Sequence, residues 1–213
     1  MEEQTVKEKI LNGAVELFMR YGVRSISMDD IARHLSVSKK TLYQYFEDKD
    51  ELVTLASVSQ IEISKKQYED LTVSAKSAID ELAKISVCLR KDMTEMNPAL
   101  LFDLQKYHPK AWAAWLSHKY NFIRESVVKN IKQGIEEGYY RADVNPDVMA
   151  AVRIEQIPLA FDPKIFPADK FNLAEVQLQM FDHFVYGLCT EKGKKEYQKY
   201  KELNLSPTIN KFA

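Results

Sequence analysis

The sequence predicts an all-α protein. Apolar residues recur every three or four positions along most of the 213-residue chain, and strand-like alternation of apolar and polar residues is nearly absent. Glycine and proline, which interrupt helices, number only 6 and 7. The predicted helices cover residues 4–21, 28–35, 39–45, 49–70, 74–95, 98–106, 109–137, 146–158, 172–190 and 193–203.

The bulk composition excludes several classes of protein. Cys88 and Cys189 are too few for a disulfide framework or a zinc cluster, so we expect two reduced core thiols. No apolar run is long enough to span a bilayer, and the charged start MEEQTVKEK does not resemble a signal peptide, so we expect a cytoplasmic protein without a membrane partner. The formal net charge is −1, so any surface for nucleic acid is expected to be local.

The first three predicted helices have apolar faces that fit together as a compact core. The first helix contributes Ile10, Ala14, Leu17, Phe18 and Tyr21 at helical spacing. The second and third helices, with the turn between them, contribute Ile31, Ala32, Leu35, Val37, Leu42 and Phe46. A small three-helix domain is therefore expected at the start of the chain.

Local signals set the ends of these helices. Ser27-Met-Asp-Asp30 predicts a capping box that opens the second helix, and Asp48-Lys-Asp-Glu51 predicts the same for the fourth. The three-residue link Ser36-Val37-Ser38 forces the second and third helices to cross steeply, with Val37 in the corner and Ser38 as a cap. This arrangement is a helix-turn-helix.

Glycines and prolines mark further boundaries. Gly22, Gly138 and Gly193 predict helix ends. Asn97-Pro98, His108-Pro109 and Asn145-Pro146 each place proline where the first residue of a helix tolerates it, and the two asparagines can cap.

The third helix has the chemistry of a reader of the DNA major groove. Leu42 and Phe46 face the core, so the polar residues of this helix point away from it. Lysine neutralises phosphate or reaches guanine, glutamine pairs with adenine, and threonine bonds base edges. The outward residues are Lys39, Lys40, Thr41, Tyr43 and Gln44, and the hydroxyls of Tyr43 and Tyr45 can bond phosphate. An ordinary solvated helix would explain any one of them, but not the whole set with its caps and corner.

Several short segments in the first quarter of the chain carry a family resemblance. They are Ile31-Ala32, Leu35-Ser-Val-Ser-Lys-Lys-Thr-Leu-Tyr-Gln-Tyr-Phe46, Asp48-Lys-Asp-Glu-Leu52, Leu17-Phe18 and Tyr21-Gly22. In these segments the chain resembles the TetR-type transcriptional repressors, although that family usually has glycine where Ser36 and Lys40 stand. The resemblance implies DNA contacts by Ser27, Ser38, Lys39, Lys40, Thr41, Tyr43, Gln44, Tyr45 and Lys49, the last of these to phosphate.

The resemblance also implies a division of labour along the chain. Residues 1–50 would form the DNA-binding domain, and residues 51–213 a larger helical domain for effector binding and dimerisation. A homodimer would read a palindromic operator, with the helices near 146–158 and 172–190 as its interface. The stripe on the latter helix is either core or intersubunit, and consists of Leu173, Val176, Met180, Phe184 and Leu188.

Aromatic residues in the middle of the chain are candidates for an effector pocket. They are Phe102, Tyr107, His108, Trp112, Trp115 and Phe122. His108, Trp112 and Trp115 share one helical face and would suit an aromatic or amphipathic molecule. Aromatic core packing around one satisfied histidine is the alternative for each residue. His108 and His118 lack the spacing of a helical metal pair, so no metal or cofactor is expected.

These observations favour a regulator of transcription over an enzyme. The sequence has no GxSxG, glycine-rich phosphate loop or HExxH motif. We expect a repressor that a small-molecule effector releases from its operator. The alternative is a helical adaptor that binds an acidic protein, which a linear loss of DNA affinity with log salt concentration would exclude.

Overall fold

The computed structural model describes residues 2–205 of the chain, with side chains described for residues 5–202. These residues form helices and no strand, which confirms the all-α class. The helices are α1 (Glu2–Tyr21), α2 (Met28–His34), α3 (Lys39–Tyr45), α4 (Lys49–Ser74), α5 (Ala78–Glu95), α6 (Leu100–Tyr107), α7 (Pro109–Ser117), α8 (Arg124–Glu136), α9 (Pro146–Leu159), α10 (Leu173–Leu188) and α11 (Glu191–Leu205), with a π-helical segment at His118–Ile123. None of these helices is both long and apolar enough to cross a membrane.

Some predicted boundaries differ from the structure. The helix predicted over 109–137 is continuous, but it consists of α7, the π-helical segment and α8. A π-helical turn holds about one residue more than an α-helical turn, so a search for regular α-helical spacing does not identify it. Pro98 is also not the first residue of a helix, because the Asn97 Oδ1 atom accepts from the Ala99 amide at 2.9 Å and forms a turn before α6. Pro109 and Pro146 do open α7 and α9 as predicted.

The described chain divides into two compact units. The first unit comprises the residues up to Lys65 together with Glu95–Lys119, and therefore contains α1–α3, α6, α7 and most of α4. The second unit comprises Lys66–Thr94 and the residues from Tyr120 onward. The predicted functional division at residue 50 stays a prediction.

The first unit contains the predicted three-helix core. The buried members are Ile10, Ala14, Leu17, Phe18, Ile31, Ala32, Leu42 and Phe46. Leu35 and Val37 are only half-buried. The prediction for Tyr21 is wrong, since 48% of the residue is exposed and its ring lies 5.3 Å from the Arg20 guanidinium.

Side-chain caps begin the short helices of this core. The predicted capping box of α2 is confirmed, because the Ser27 hydroxyl accepts from the Asp30 amide at 3.2 Å and the Asp30 carboxylate accepts from the Ser27 amide at 2.9 Å. At α4 the Asp48 carboxylate accepts from the Glu51 amide at 2.8 Å. The Glu51 carboxylate accepts from the amide of Glu47 at 2.6 Å, one residue earlier than a regular box requires.

The turn between α2 and α3 is a Schellman motif built around Ser36. The Ser36 amide donates to the Arg33 carbonyl at 3.2 Å, and the Val37 amide donates to the Ala32 carbonyl at 3.0 Å. This pattern needs a left-handed residue after the helix, and Ser36 has φ +55°. A serine therefore occupies a backbone conformation that favours glycine.

Gly193 corrects a sequence prediction. Gly22 and Gly138 have positive φ and end α1 and α8 as expected. Gly193 instead lies inside α11, where an added Cβ would stand 2.2 Å from the Tyr139 carbonyl oxygen. The glycine allows close approach of two backbones and does not terminate a helix.

The core of the second unit involves α5, α8, α10 and α11. Its largest fully buried side chains include Ile79, Ile131, Tyr140, Leu188 and Tyr197. Of the α10 stripe, Phe184 and Leu188 belong to this core and Val176 is also buried within the chain, whereas Leu173 and Met180 are half-buried. Both cysteines are free, but Cys88 is exposed, so the prediction of two core thiols holds only for Cys189.

Candidate nucleic-acid interface

The short helix α3 is held by one cap and two buried side chains. The Ser38 hydroxyl accepts from the Thr41 amide at 3.0 Å and shares a hydrogen bond with the Thr41 hydroxyl at 2.7 Å. Leu42 and Phe46 are almost completely buried, at 0% and 1% exposed. These contacts set the rotation of α3 about its axis, and therefore decide which side chains face away from the core.

Four polar side chains form the outer face of α3. They are Lys39, Lys40, Tyr43 and Gln44, and all four are exposed. Thr41 and Tyr45 flank this face and are half-buried. The outer face combines cationic, amide and phenol donors on one turn and a half of helix, which suits phosphate oxygens and the base edges of a major groove.

The two lysines of the outer face differ in their surroundings. The Lys39 ammonium lies 2.9 Å from the Asp29 carboxylate, and this hydrogen bond raises the pKa of Lys39. Lys40 makes no hydrogen bond or ion pair with any residue that the structure describes. Lys40 can therefore meet a phosphate without giving up an existing partner.

Two other predicted DNA contacts are already engaged within the chain. The Ser27 hydroxyl donates to the Asp30 carboxylate at 2.6 Å, which lowers the pKa of Asp30. Lys49 is half-buried, and its ammonium donates to the Val23 carbonyl at 2.7 Å. Burial lowers the pKa of Lys49, against the opposing charge of Asp103. In this structure Lys49 links α4 to the turn after α1, and a phosphate would have to compete with Val23.

The aromatic candidates for an effector pocket have different environments. Trp112 and Trp115 stack, with ring centroids 4.9 Å apart and planes 15° apart. Phe102 and Tyr107 are 44% and 39% exposed, and their part in an effector pocket stays a prediction. The Lys106 ammonium lies over both rings, 5.5 Å from the centroid of Phe102 and 5.1 Å from the centroid of Tyr107.

The remaining two candidates have other neighbours. The His108 Nδ1 atom lies 2.8 Å from the Asp50 carboxylate, in the first turn of α4. Phe122 belongs to the second unit, where its ring packs edge-to-face against Tyr68 at 5.6 Å. Among the five candidates of the first unit, Trp112 and Trp115 form a stacked pair.

The α6 segment is attached to the helices that carry α3. The Asn97 amide donates to the Met19 carbonyl at 2.6 Å. The buried Asp103 carboxylate accepts from the Arg24 amide at 3.1 Å. Together with the pair between His108 and Asp50, these bonds connect α6 to the end of α1 and the start of α4.

Sequence reasoning missed several buried charged residues, and two of them matter for the proposals below. Asp103 is 6% exposed and Arg153 is 5% exposed. Each is a single charge within an apolar stretch, LLFDL for Asp103 and AAVRI for Arg153. A charge at a position that the helical period assigns to the core is the signal that would have found them.

Comparison with known proteins points to one family. The model of the family described as "Bacterial regulatory proteins, tetR family" matches residues 10–56, which span most of α1 through the start of α4. A relative from Bacillus subtilis (strain 168), the HTH-type transcriptional regulator YvaF, is 28% identical over 193 residues, which cover 87% of this chain and 96% of that protein. The HTH-type transcriptional repressor KstR2 of Mycobacterium tuberculosis is 22% identical over 66% of this chain and 72% of its own.

A solved structure shows the same fold over most of the chain. It is a putative transcriptional regulator from Saccharomonospora viridis in complex with choline, which matches with a TM-score of 0.70 over 88% of this chain and 100% of that one. Its sequence identity to this chain is 16%.

Proposed function

Because this chain belongs to the TetR family of helix-turn-helix transcriptional regulators, we propose that it is a repressor that a small-molecule effector releases from a palindromic operator. Regulation of transcription is shared with its relatives, and one of these is named a repressor. The release by an effector, the operator's symmetry and the residues that contact DNA are the parts proposed here.

The outer face of α3 is the observation that carries this proposal. Helix α3 has seven residues, of which Leu42 is buried and four polar side chains are exposed, and the buried Phe46 follows directly after it. The packing of the fold does not require these four exposed side chains. Asp29 neutralises the charge of Lys39, so the positive charge of the outer face comes from Lys40. We therefore assign phosphate contact to Lys40 and base reading to Gln44, with Tyr43 and Lys39 beside them.

A binding titration tests this assignment. The duplex is first selected from a random pool with the full-length protein, and affinities are then measured by fluorescence anisotropy over a series of salt concentrations. We expect Lys40→Ala to weaken binding to the selected and unrelated duplexes alike, and to reduce the salt slope by about 1. Gln44→Ala should lose about 1–3 kcal/mol at one base pair of the selected duplex and little elsewhere.

Lys132→Ala is the matched control, because it removes an exposed lysine of α8 and leaves α3 intact. It should leave both affinity and salt slope as in the wild type. Binding that is insensitive to salt and to both α3 variants would overturn the DNA-reading role and favour the protein-adaptor alternative.

The α6 segment supports a route for release. Its hydrogen bonds to Met19, Arg24 and Asp50 attach it to the end of α1 and the start of α4. In the sequence, these two attachment points come before α2 and after α3. An effector that favours another position of α6 and α7 would therefore favour another position of α3, as a shift between two populated states requires. The stacked Trp112 and Trp115 on α7 are the candidate contacts for an aromatic or amphipathic effector.

The proposed dimer uses the exposed side of α9. Val148, Val152 and Leu159 lie on one side of this helix at 56%, 45% and 39% exposure. A second copy of the chain would bury this apolar strip and supply the second reading helix for a palindromic site. A bacterial protein that binds chromosomal DNA must lie in the same compartment as the DNA. We therefore also propose that this protein is cytoplasmic.

A further inference from the structure

Arg153 is a buried cation in the second unit without a protein counter-charge among the described residues. Its guanidinium carbon lies 5.1 Å from the centroid of the Phe181 ring, so the side chain packs between α9 and α10. The Nη1 atom is buried and has no hydrogen-bond partner in the part of the chain that the structure describes. Burial lowers the pKa of Arg153 to about 10, so the group still carries its charge at neutral pH.

The acidic residues adjacent in sequence to this contact serve other partners. Glu155, two residues after Arg153, accepts from the Tyr120 hydroxyl at 3.0 Å. Asp182, next to Phe181, accepts from the Tyr197 hydroxyl at 2.9 Å and pairs with Lys201. Neither carboxylate forms an ion pair with the guanidinium.

Two glutamine carbonyls near Arg153 on α9 and α10 also need a partner. The Oε1 atoms of Gln156 and Gln177 are buried, and no donor from the described residues reaches them. The amide of Gln177 has one orientation, because its Nε2 atom donates to the Ile157 carbonyl at 2.8 Å. Gln156 follows Arg153 by about one turn on α9, and Gln177 precedes Phe181 by about one turn on α10, so helical spacing puts each glutamine on the side of its helix that holds the contact between Arg153 and Phe181.

The chemistry of Arg153, Gln156 and Gln177 limits the kind of ligand that they can bind. A buried charge is retained where a counter-charge or hydrogen bonds compensate it, and the guanidinium fork matches a carboxylate. The two glutamine oxygens accept hydrogen bonds and therefore match hydroxyl or amide donors. Because the guanidinium is buried within a single chain, a second copy that packs on the outer side of α9 leaves these needs unmet.

We propose that Arg153 binds the anionic group of the effector, and that the effector is a small organic acid with a hydrogen-bond donor for Gln156 or Gln177. The inference rests on the proposed function in requiring an effector, and it concerns the second unit, independently of the tryptophan pair of the first. The inference predicts that the effector is an anion, whereas the aromatic candidates do not indicate the charge of the effector.

Thermal unfolding of the full chain tests the proposal without DNA. Sodium acetate and sodium benzoate serve as minimal carboxylate probes, acetamide and benzamide as their neutral counterparts, and sodium chloride equalises the ionic strength. At about ten times its Kd, a carboxylate should raise the Tm of the wild-type protein by about 3–6 °C, and its amide should not. Arg153→Gln should abolish this difference.

Arg124→Gln is the control, because it removes an arginine that pairs on the surface of the same unit with Asp147 at 2.7 Å. This variant should keep the full carboxylate response. Equal responses of the wild type to acid and amide overturn the proposal, as does a carboxylate response that survives in Arg153→Gln. The wild-type comparison decides even where that variant does not fold.

The two levels of the hypothesis fail in different measurements. A wild-type protein that binds no duplex DNA contradicts the proposed function, whatever the acids do. A protein that binds its selected duplex but responds equally to acids and amides contradicts only the assignment of Arg153. Loss of the dimer in Arg153→Gln, with an unchanged response to acids, would make Arg153 an intersubunit contact and also overturn the proposal.

Discussion

Ser36 holds a backbone conformation that costs serine more free energy than it costs glycine. Its φ of +55° lies in the left-handed region, where the Cβ of an L-residue approaches the following carbonyl. The Schellman bonds of Arg33 and Ala32 require this conformation, so the residue cannot relax without loss of the turn. The helix-turn-helix is thus formed with a local cost that another residue would avoid.

We expect Ser36→Gly to stabilise the chain by about 0.5–1 kcal/mol, because the gain in the left-handed region exceeds the entropy that glycine loses on folding. Urea unfolding would measure the change. Ser36→Ala is the control, since alanine keeps the Cβ and should give no gain. A variant with glycine that is less stable than wild type would show that the serine side chain contributes a contact outweighing the backbone cost.

His118 links stability to pH at a single residue. Burial, followed by the positive charge of Lys65, lowers its pKa from the ordinary value of 6.5. The folded protein therefore binds this proton less readily than the unfolded chain. Its stabilising contribution is complete above about pH 6.5 and is lost as the pH falls from there toward the lowered pKa.

We expect the Tm of the wild-type protein to fall between about pH 7.5 and about pH 5.5, and His118→Gln to reduce this fall. The measurement is a thermal melt at the two pH values. His183→Gln, which replaces an exposed histidine of α10, should leave the pH dependence unchanged. Identical pH dependence in wild type and His118→Gln would contradict the argument.

At the scale of elements, α11 is positioned by contact between backbones. Gly193 in its first turn lies against the Tyr139 carbonyl, and the Thr190 amide donates to that same carbonyl at 2.8 Å. Farther along α11, the buried Tyr197 donates to the Asp182 carboxylate of α10 at 2.9 Å. The start of α11 therefore depends on a distance that leaves no room for a methyl group.

Gly193→Ala should destabilise the chain by about 1–3 kcal/mol, because the backbones must separate to admit the Cβ. The matched control is Gly187→Ala in α10, where an added Cβ meets no atom within 4 Å. That control should raise stability by about 0.5–1 kcal/mol, as alanine does in a helix interior. Chemical unfolding of both variants compares them, and a loss of equal size in both would contradict the contact.

The elements that sequence reasoning predicted correctly are those with local signals. The Ser27 box, the Ser38 cap and the inward pair Leu42 and Phe46 depend on residues within a few positions of each other, and all are confirmed. Tyr21 fits the same periodicity but is exposed. Spacing along α1 does not show where the helices that pack against it end.

The effector candidates were harder to predict because their environment is tertiary. The exposure of Phe102 and Tyr107, and the contact of His108 with Asp50, depend on chain segments distant in sequence. The buried position of Arg153 depends in the same way on α10. Aromatic composition alone therefore identified a region, and the structure was needed to separate stacked rings from exposed ones.

At the scale of the whole molecule, the nearly neutral charge of the chain gives little electrostatic attraction to DNA. The net charge is −1, so long-range attraction to DNA is weak, and the contact that we propose for the outer face of α3 would act at short range. Two such faces in a dimer double the number of phosphate contacts. We therefore expect a change that weakens dimerisation also to lower the affinity for the operator.

Val152→Lys should convert the proposed dimer into a monomer, because a lysine in the apolar strip of α9 would be buried without a partner. Sedimentation velocity measures the change, and affinity for the selected duplex should fall with it. Val73→Lys is the control, since Val73 at the end of α4 is 88% exposed and lies outside the strip. A Val152→Lys protein that stays dimeric would place the interface elsewhere.

The brevity of α3 has a consequence for how the protein opens. A helix of seven residues is too short to persist alone in water, so α3 exists only while Leu42 and Phe46 remain packed on α1 and α2. Its amide hydrogens should then exchange with solvent at the rate of the α1 core amides, as one cooperative unit. Temperature-sensitive defects in gene control would accordingly arise from substitutions in that core as readily as from those on the outer face of α3.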